Sequence, residues 1–330
     1  MTRNMTHGGN IFCVAEQQGV AWQQVLDFSA SINPLGPSPA AREAILAAMD
    51  RIAHYPERTG SHLREKLAAE WSVNSNQVLV GNGATELLFD WCRYFATGTI
   101  AAPAFGEFHR AWPQAALCQL SDATTWPALG PVIFTRPANP CGTLLSAESI
   151  ADYAANRKDA VLVDESFLDF CGAPSLTPVA KGNLFVLRSL TKFWALPGLR
   201  IGALVGDVDQ LAALRPPWPV NALAEAAALA SIEDREHAAK TRAYVREEAL
   251  WFTAELCKLP GMLVWPSVAN YLYIETVRAT ELTQFAANRK ILLRDCSHWS
   301  GFARPSIRIA VRRRWENQLL IALIKEFLCA

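Results

Sequence analysis

The sequence has no surplus of charge. Its 31 basic and 31 acidic residues cancel, which removes the electrostatic footprint of a nucleic-acid or membrane-surface binder. No apolar run approaches the roughly 20 residues that a bilayer-spanning helix needs. The opening "MTRNMTHGGN" lacks the apolar core of a secretion signal. Eight cysteines are scattered with no C-x-x-C pair, so neither a zinc site nor a disulfide framework is expected and no metal is called for. That usage fits a reducing cytoplasm. There is no internal repeat and no low-complexity tract. The glycine pattern Gly81-x-Gly83 lacks the rest of the dinucleotide fingerprint, and no Walker lysine follows it.

What is present is a globular composition, half hydrophobic, on 330 residues, which is long for one core. From Val78 to Gly206, short apolar runs alternate with helical stretches. The runs are "QVLVGN", "GTIAA", "PVIFT", "AVLVDES", "NLFVLRS" and "IGALVG", which suit strands buried on both faces. "SAESIADYAANR" reads as a helix capped by Ser146. This alternation predicts an α/β layer with a mostly parallel sheet. The proline-rich "LRPPWPV", Leu214 to Val220, reads as a linker. A long helical stretch follows it, then strands mixed with fewer helices, which suit a smaller α+β domain. The expected division is an N-terminal arm over 1–36, a large domain over 37–215 and a small domain over 216–330.

Five segments carry residue types that could do chemistry. "RSLTKFWALPGLRIG" places Lys192 just past an apolar strand, after Ser189, with Arg200 in a glycine-flanked turn. A lysine at a buried strand end loses solvation, which lowers its pKa and makes a nucleophilic amine. Alone, the segment equally fits a strand end with ordinary surface cations. "VLVDESF" ends an apolar strand at Asp164, where open α/β sheets collect ligand groups, although a cap or loop carboxylate is as common. "VGNGATELLFDW" runs from a strand through Gly83 into a helix starting near Ala84, whose first N–H groups, with Thr85, offer an anion site or a plain βα turn. Asn139 of "TRPANPCG" could donate to a ligand oxygen or simply make a turn. Phe105 of "PAFGEF" is a flat ring for stacking, or ordinary core.

Taken in order, these segments resemble the fold-type I enzymes that depend on pyridoxal 5'-phosphate (PLP), the aspartate aminotransferase superfamily. The resemblance spans most of the chain, and "SLTKFWALPGLRIG" behind "DES" is its most specific piece. It implies an α/β large domain whose mostly parallel sheet is flanked by helices, and a smaller α+β C-terminal domain. It implies that Lys192 bonds the cofactor, Asp164 pairs with the ring nitrogen, Asn139 donates to the ring oxygen and Phe105 stacks on the ring. Gly83, Ala84, Thr85, Ser189 and Arg200 would hold the phosphate. Tyr55, in "AHYPER", would reach the cofactor of a second subunit, so a homodimer with shared active sites is implied. Many relatives carry Tyr where this chain has Phe105 and Phe167.

Within the superfamily, "SASINPLGPS" and "HYPERTGSHLREKLA" resemble the branch of histidinol-phosphate aminotransferases and threonine-phosphate decarboxylases. "HGGN" near the start, and "LLRDCSHWSGF" followed by "IRIAVR", resemble the decarboxylases more. The implied substrate is a small phosphorylated amino acid, with no nucleic acid or membrane partner. Its carboxylate and phosphate would be met by Arg294 and Arg308, since Arg suits planar bidentate recognition. His7, Gly8, Gly9, Asn10 and Asn33 complete the implied substrate set. The expected reaction is decarboxylation of L-threonine O-3-phosphate to (R)-1-amino-2-propanol O-2-phosphate in cobalamin biosynthesis. An aminotransferase of the histidinol-phosphate type is the alternative, and a catalytically silent PLP-fold binding module is a third that the intact Lys192, Asp164 and Arg200 argue against. The run Arg312 to Arg314 reads as a solvated basic face.

Overall fold

The computed structural model describes residues 8–299, 301 and 304–329. Among the described residues the strands are β1 Leu26–Asp27, β2 Val78–Gly81, β3 Thr99–Ala102, β4 Ala116–Gln119, β5 Val132–Thr135, β6 Val161–Asp164, β7 Leu184–Ser189, β8 Gly202–Val205, β9 Leu263–Val264, β10 Tyr271–Glu275, β11 Ile291–Leu292, β12 Arg294–Asp295 and β13 Ser306–Ala310. Seven of them form one sheet in the order β2-β8-β7-β6-β5-β3-β4. It is parallel from β7 to β4, and β8 runs antiparallel to both its neighbours. The six apolar runs are β2, β3, β5, β6, β7 and β8. β4 was not expected: it is an edge strand whose only buried residue is Cys118. With one inward side chain it has neither an apolar run nor an alternation to read.

Successive side chains alternate between the two faces of this sheet. Val161 and Val163 join Val132, Phe134 and Val186 in one core, closed by Leu63, Leu67, Ile150 and Ala154. Leu162 joins Ile133, Phe185 and Leu187 in the other, closed by Leu87, Leu88 and Trp91 of the helix Ala84–Phe95. The alternation continues to the strand ends with charged residues. Asp164 lies level with Thr135 and Leu187. One residue on, facing the opposite way, Glu165 is fully buried between Arg136 at 3.1 Å and Arg188 at 3.3 Å. It also accepts from Ser175 and from the Leu176 amide. A buried carboxylate is tolerated here because cations and donors meet both of its oxygens.

The expected long helix is two helices, Ala222–Glu233 and Arg235–Leu256, separated at Asp234, whose side chain caps the second by accepting from the His237 amide. Ala224, Ala228 and Ile232 belong to the first core, although they follow the proline-rich segment. A separate core begins at Phe252 and includes Leu272, Ile274, Ile307, Ile309 and Leu320. It is built on a four-stranded sheet in the order β12-β13-β10-β9 and on the helix Arg314–Cys329. The arm is laid along this unit. β1 pairs in parallel with β11, Phe28 enters the second core, and Ala310 donates to the Phe28 carbonyl.

Arg312 to Arg314 are only partly solvated: Arg313 is exposed, Arg312 and Arg314 are half-buried, and all three are tied down. Arg312 donates to the Asp27 carbonyl and to Glu316, Arg313 donates to the Pro34 carbonyl, and Arg314 pairs with the buried Glu248 at 2.9 Å. The run ties the arm and the helix Arg235–Leu256 to the small sheet. The ties to Asp27, Pro34 and Glu248 were not legible in the sequence, because those acceptors are distant in the chain.

Candidate active site

A cavity of about 770 Å³ opens where the carboxyl ends of the large sheet meet the arm and the small sheet. Lys192 lies three residues past β7 and Asp164 ends β6, and both line it. The Lys192 Nζ donates to Thr191 Oγ1 at 3.2 Å. Burial pushes its ammonium down to about 8, helped by the charges of Arg200 and Arg308, against the pull of Asp164. Burial likewise pushes the Asp164 carboxyl up, while the Ser166 amide at 2.9 Å and the Lys192 charge draw it back.

The turn into the helix Ala84–Phe95 is shaped by Arg200. Gly83, at φ 89°, holds a backbone conformation that L side chains rarely adopt, and the Arg200 Nη2 lies 2.5 Å from where a Cβ would stand. That close approach sets the guanidinium beside the first N–H groups of the helix. Ala84, Thr85, Ser189 and Arg200 all line the cavity. Ser189 Oγ is 2.8 Å from Thr191 Oγ1. Phe105, the residue before a short helix, offers its ring to the same space. Phe167 also lines it and packs edge-on to Tyr271 at 4.9 Å.

At the other end, Arg294 and Arg308 stand directly opposite each other on β12 and β13. Both line the cavity, Arg294 over the Trp299 ring and Arg308 over the Tyr271 ring. Burial and the Arg308 charge lower the pKa of Arg294. Arg308 spends its hydrogen bonds on neutral acceptors, Asn139 Oδ1 at 2.6 Å and the Ser29 carbonyl at 2.8 Å. Its charge stays available to an anion. The bond to Asn139 also fixes that amide, whose Nδ2 has no protein acceptor among the described residues.

Gly8 and Gly9 line the cavity beside these arginines. His7 lies outside the described residues. Asn10 is exposed and precedes the helix Ile11–Gln18, away from the cavity wall. Asn33 is buried and fully engaged: its Nδ2 donates to the Phe193 carbonyl and to Thr241, and its amide donates to the Lys192 carbonyl. It supports the lysine loop and does not reach the cavity. Tyr55 is 81% exposed and stacks on Trp218 at 4.6 Å, outside this chain's own cavity. The sequence reading passed over Asp27 and Ser29, which also line it. An Asp two residues before a Ser is an Asx-turn signature, and that local signal was available.

The residues present fit PLP. A helix start, a serine and an arginine converge where a phosphate dianion would sit; a buried carboxylate faces the same space as a buried amine and a flat ring. A model of the aminotransferase class I and II family matches residues 113–322, and the chain belongs to that family of PLP-dependent enzymes. It is 35% identical to the threonine-phosphate decarboxylase of Salmonella typhimurium, across 98% of this chain and 97% of that one. It is 28% identical to the histidinol-phosphate aminotransferase of Methanothermobacter thermautotrophicus, across 97% and 93%. Its fold overlays the crystal structure of L-threonine-O-3-phosphate decarboxylase from Porphyromonas gingivalis with a TM-score of 0.85 at 26% identity, covering 93% of this chain and all of that one.

Proposed function

We propose that the protein decarboxylates L-threonine O-3-phosphate to (R)-1-amino-2-propanol O-2-phosphate. The observation that carries this reading is the cationic substrate end, where Arg294 and Arg308 face each other across one ladder and share the cavity lining with Gly8 and Gly9. A ligand bearing both a carboxylate and a phosphate matches that excess of positive charge. The similarity to threonine-phosphate decarboxylases supports the same choice.

When bound, PLP supplies an electron sink for the bond broken at the substrate's α-carbon. Lys192 would hold the cofactor and yield it to the substrate amine. Asp164 would keep a proton on the ring nitrogen, and Asn139 would donate its Nδ2 to the ring oxygen. Phe105 would fix the ring plane, and Gly83, Ala84, Thr85, Ser189 and Arg200 would fix the phosphate. Arg294 and Arg308 would hold the substrate's two anions and so choose which α-carbon bond stands perpendicular to the ring. Transamination is the second reading, favoured by one observation: the displaced Lys192 amine, held near 8, is suited to move a proton at the α-carbon.

We also infer a homodimer. Leu46, Met49, Ile52, Tyr55 and Trp218 are all exposed, and a second copy covering them would bring Tyr55 toward the partner's cofactor phosphate. A cytoplasmic location goes with the unpaired cysteines; among the described residues no helix is long and apolar enough to cross a membrane.

Purified protein with PLP, L-threonine O-3-phosphate and no keto acid should release CO2 and aminopropanol phosphate in equal amounts. Turnover that appeared only with 2-oxoglutarate would replace this reading by the second.

A further inference from the structure

We propose that Ser29 and Asp27 are positioning residues that lock the glycine segment Gly8–Gly9 and the Arg308 guanidinium into one unit. Ser29 is buried and holds three groups at once. Its Oγ accepts from the Gly9 amide at 2.9 Å and donates to Asp27 Oδ1 at 2.5 Å. Its carbonyl accepts from Arg308 Nη2 at 2.8 Å. The same Asp27 oxygen accepts from the amides of Ser29 at 2.8 Å and Ala30 at 3.2 Å, which fixes the turn that presents both faces of Ser29. Arg312 in turn anchors the Asp27 carbonyl at 2.9 Å. Gly8 passes so close to the Ser29 carbonyl that a Cβ there would collide with it. The glycine backbone therefore packs on the carbonyl that Arg308 grips.

The consequence is coupling. An anion that pulls on Arg308 moves or steadies Ser29, and Ser29 steadies Gly9. Loss of the Ser29 hydroxyl would leave the arginine in place but detach the segment. The inference rests on the reading that Arg308 meets the substrate anion, but not on which bond then breaks.

Hydrogen exchange in the PLP-loaded protein tests it without turnover. Saturating inorganic phosphate should slow exchange at the Gly9 amide in the parent protein. In Ser29→Ala and Asp27→Ala that slowing should vanish, and Ser29→Thr, which keeps the hydroxyl, should restore it. With L-threonine O-3-phosphate, Ser29→Ala should raise KM up to about tenfold with kcat changed less than about twofold, the loss of one hydrogen bond. Removing residues 1–9 should raise KM by at least as much, and Ser29→Ala in that shortened chain should add nothing further. Phosphate protection of Gly9 that survives Ser29→Ala, or KM effects that multiply, would overturn the coupling. Asp27→Ala leaves the Ser29 side chain intact and reads the same contact if Ser29→Ala does not fold. A protein that transaminates would give the same exchange pattern, so a failed decarboxylation assay and a failed coupling are separate results.

Discussion

The end of the cavity that holds Lys192 and Asp164 differs in construction from the end that holds Arg294 and Arg308. The first is made of strand ends and the turns that follow them in one sheet. Its polar groups come from β6, β7, the helix Ala84–Phe95 and the loops between, all set on the one seven-stranded sheet. The second is assembled from three separate places: the start of the chain, the arm at Asp27 and Ser29, and two short strands near residue 300. A rigid sheet edge sets the first, and side-chain hydrogen bonds between distant segments set the second. Chemistry common to a superfamily fits on the first, and choice of substrate is left to the second.

Three perturbations separate the ends. Lys192→Ala should have the largest effect, lowering turnover by about three orders of magnitude or more, in the range of a lost proton-transfer and nucleophilic group. Borohydride reduction followed by mass spectrometry should place the PLP adduct on Lys192 in the parent protein; an adduct on another lysine would move the first end elsewhere. Arg308→Lys should come next. It removes the planar fork, so kcat/KM for the phosphorylated substrate should fall about 10- to 100-fold while PLP binding, by equilibrium titration, holds. Equal losses in both would mean that the two ends are not separable.

The smallest effect is a pH dependence. Lys192 is held down at about 8, so its neutral amine is populated at lower pH than an ordinary lysine's. Capture of added PLP by cofactor-free protein should rise roughly tenfold per pH unit below 8 and level off above it, followed by absorbance. A rise that continued toward pH 10 would show that the amine is not desolvated. The stability effect has the opposite bookkeeping from a raised pKa: the folded chain disfavours the ammonium, so this group's contribution improves as pH climbs from about 8 to the unperturbed lysine value.

The same division explains what could be read in advance. Six strands of the large sheet were legible because fully buried strands are continuous apolar runs. Asp164 was legible because it closes such a run, Lys192 because it lies three residues past one, and Arg200 because it stands in the turn just before one. β4 was not, with a single buried side chain at an edge. Asn33 looked like a substrate contact, but its amide group is spent on Phe193 and Thr241, partners more than a hundred residues away. The ties of the Arg312 to Arg314 run were hidden for the same reason: its acceptors at Asp27, Pro34 and Glu248 are neighbours only after folding.

Asp164 and Glu165 are consecutive carboxylates with opposite fates. One faces the cavity, and the other is sealed against Arg136 and Arg188. Only the odd-even count along β6 tells them apart. Deleting one residue from that strand would bring the longer acid, Glu165, to the cavity and leave Arg136 and Arg188 without their carboxylate, whereas a two-residue change would keep the assignment. The strand thus tolerates drift in its length only in steps of two, a constraint on inheritance that no single side chain in the site imposes.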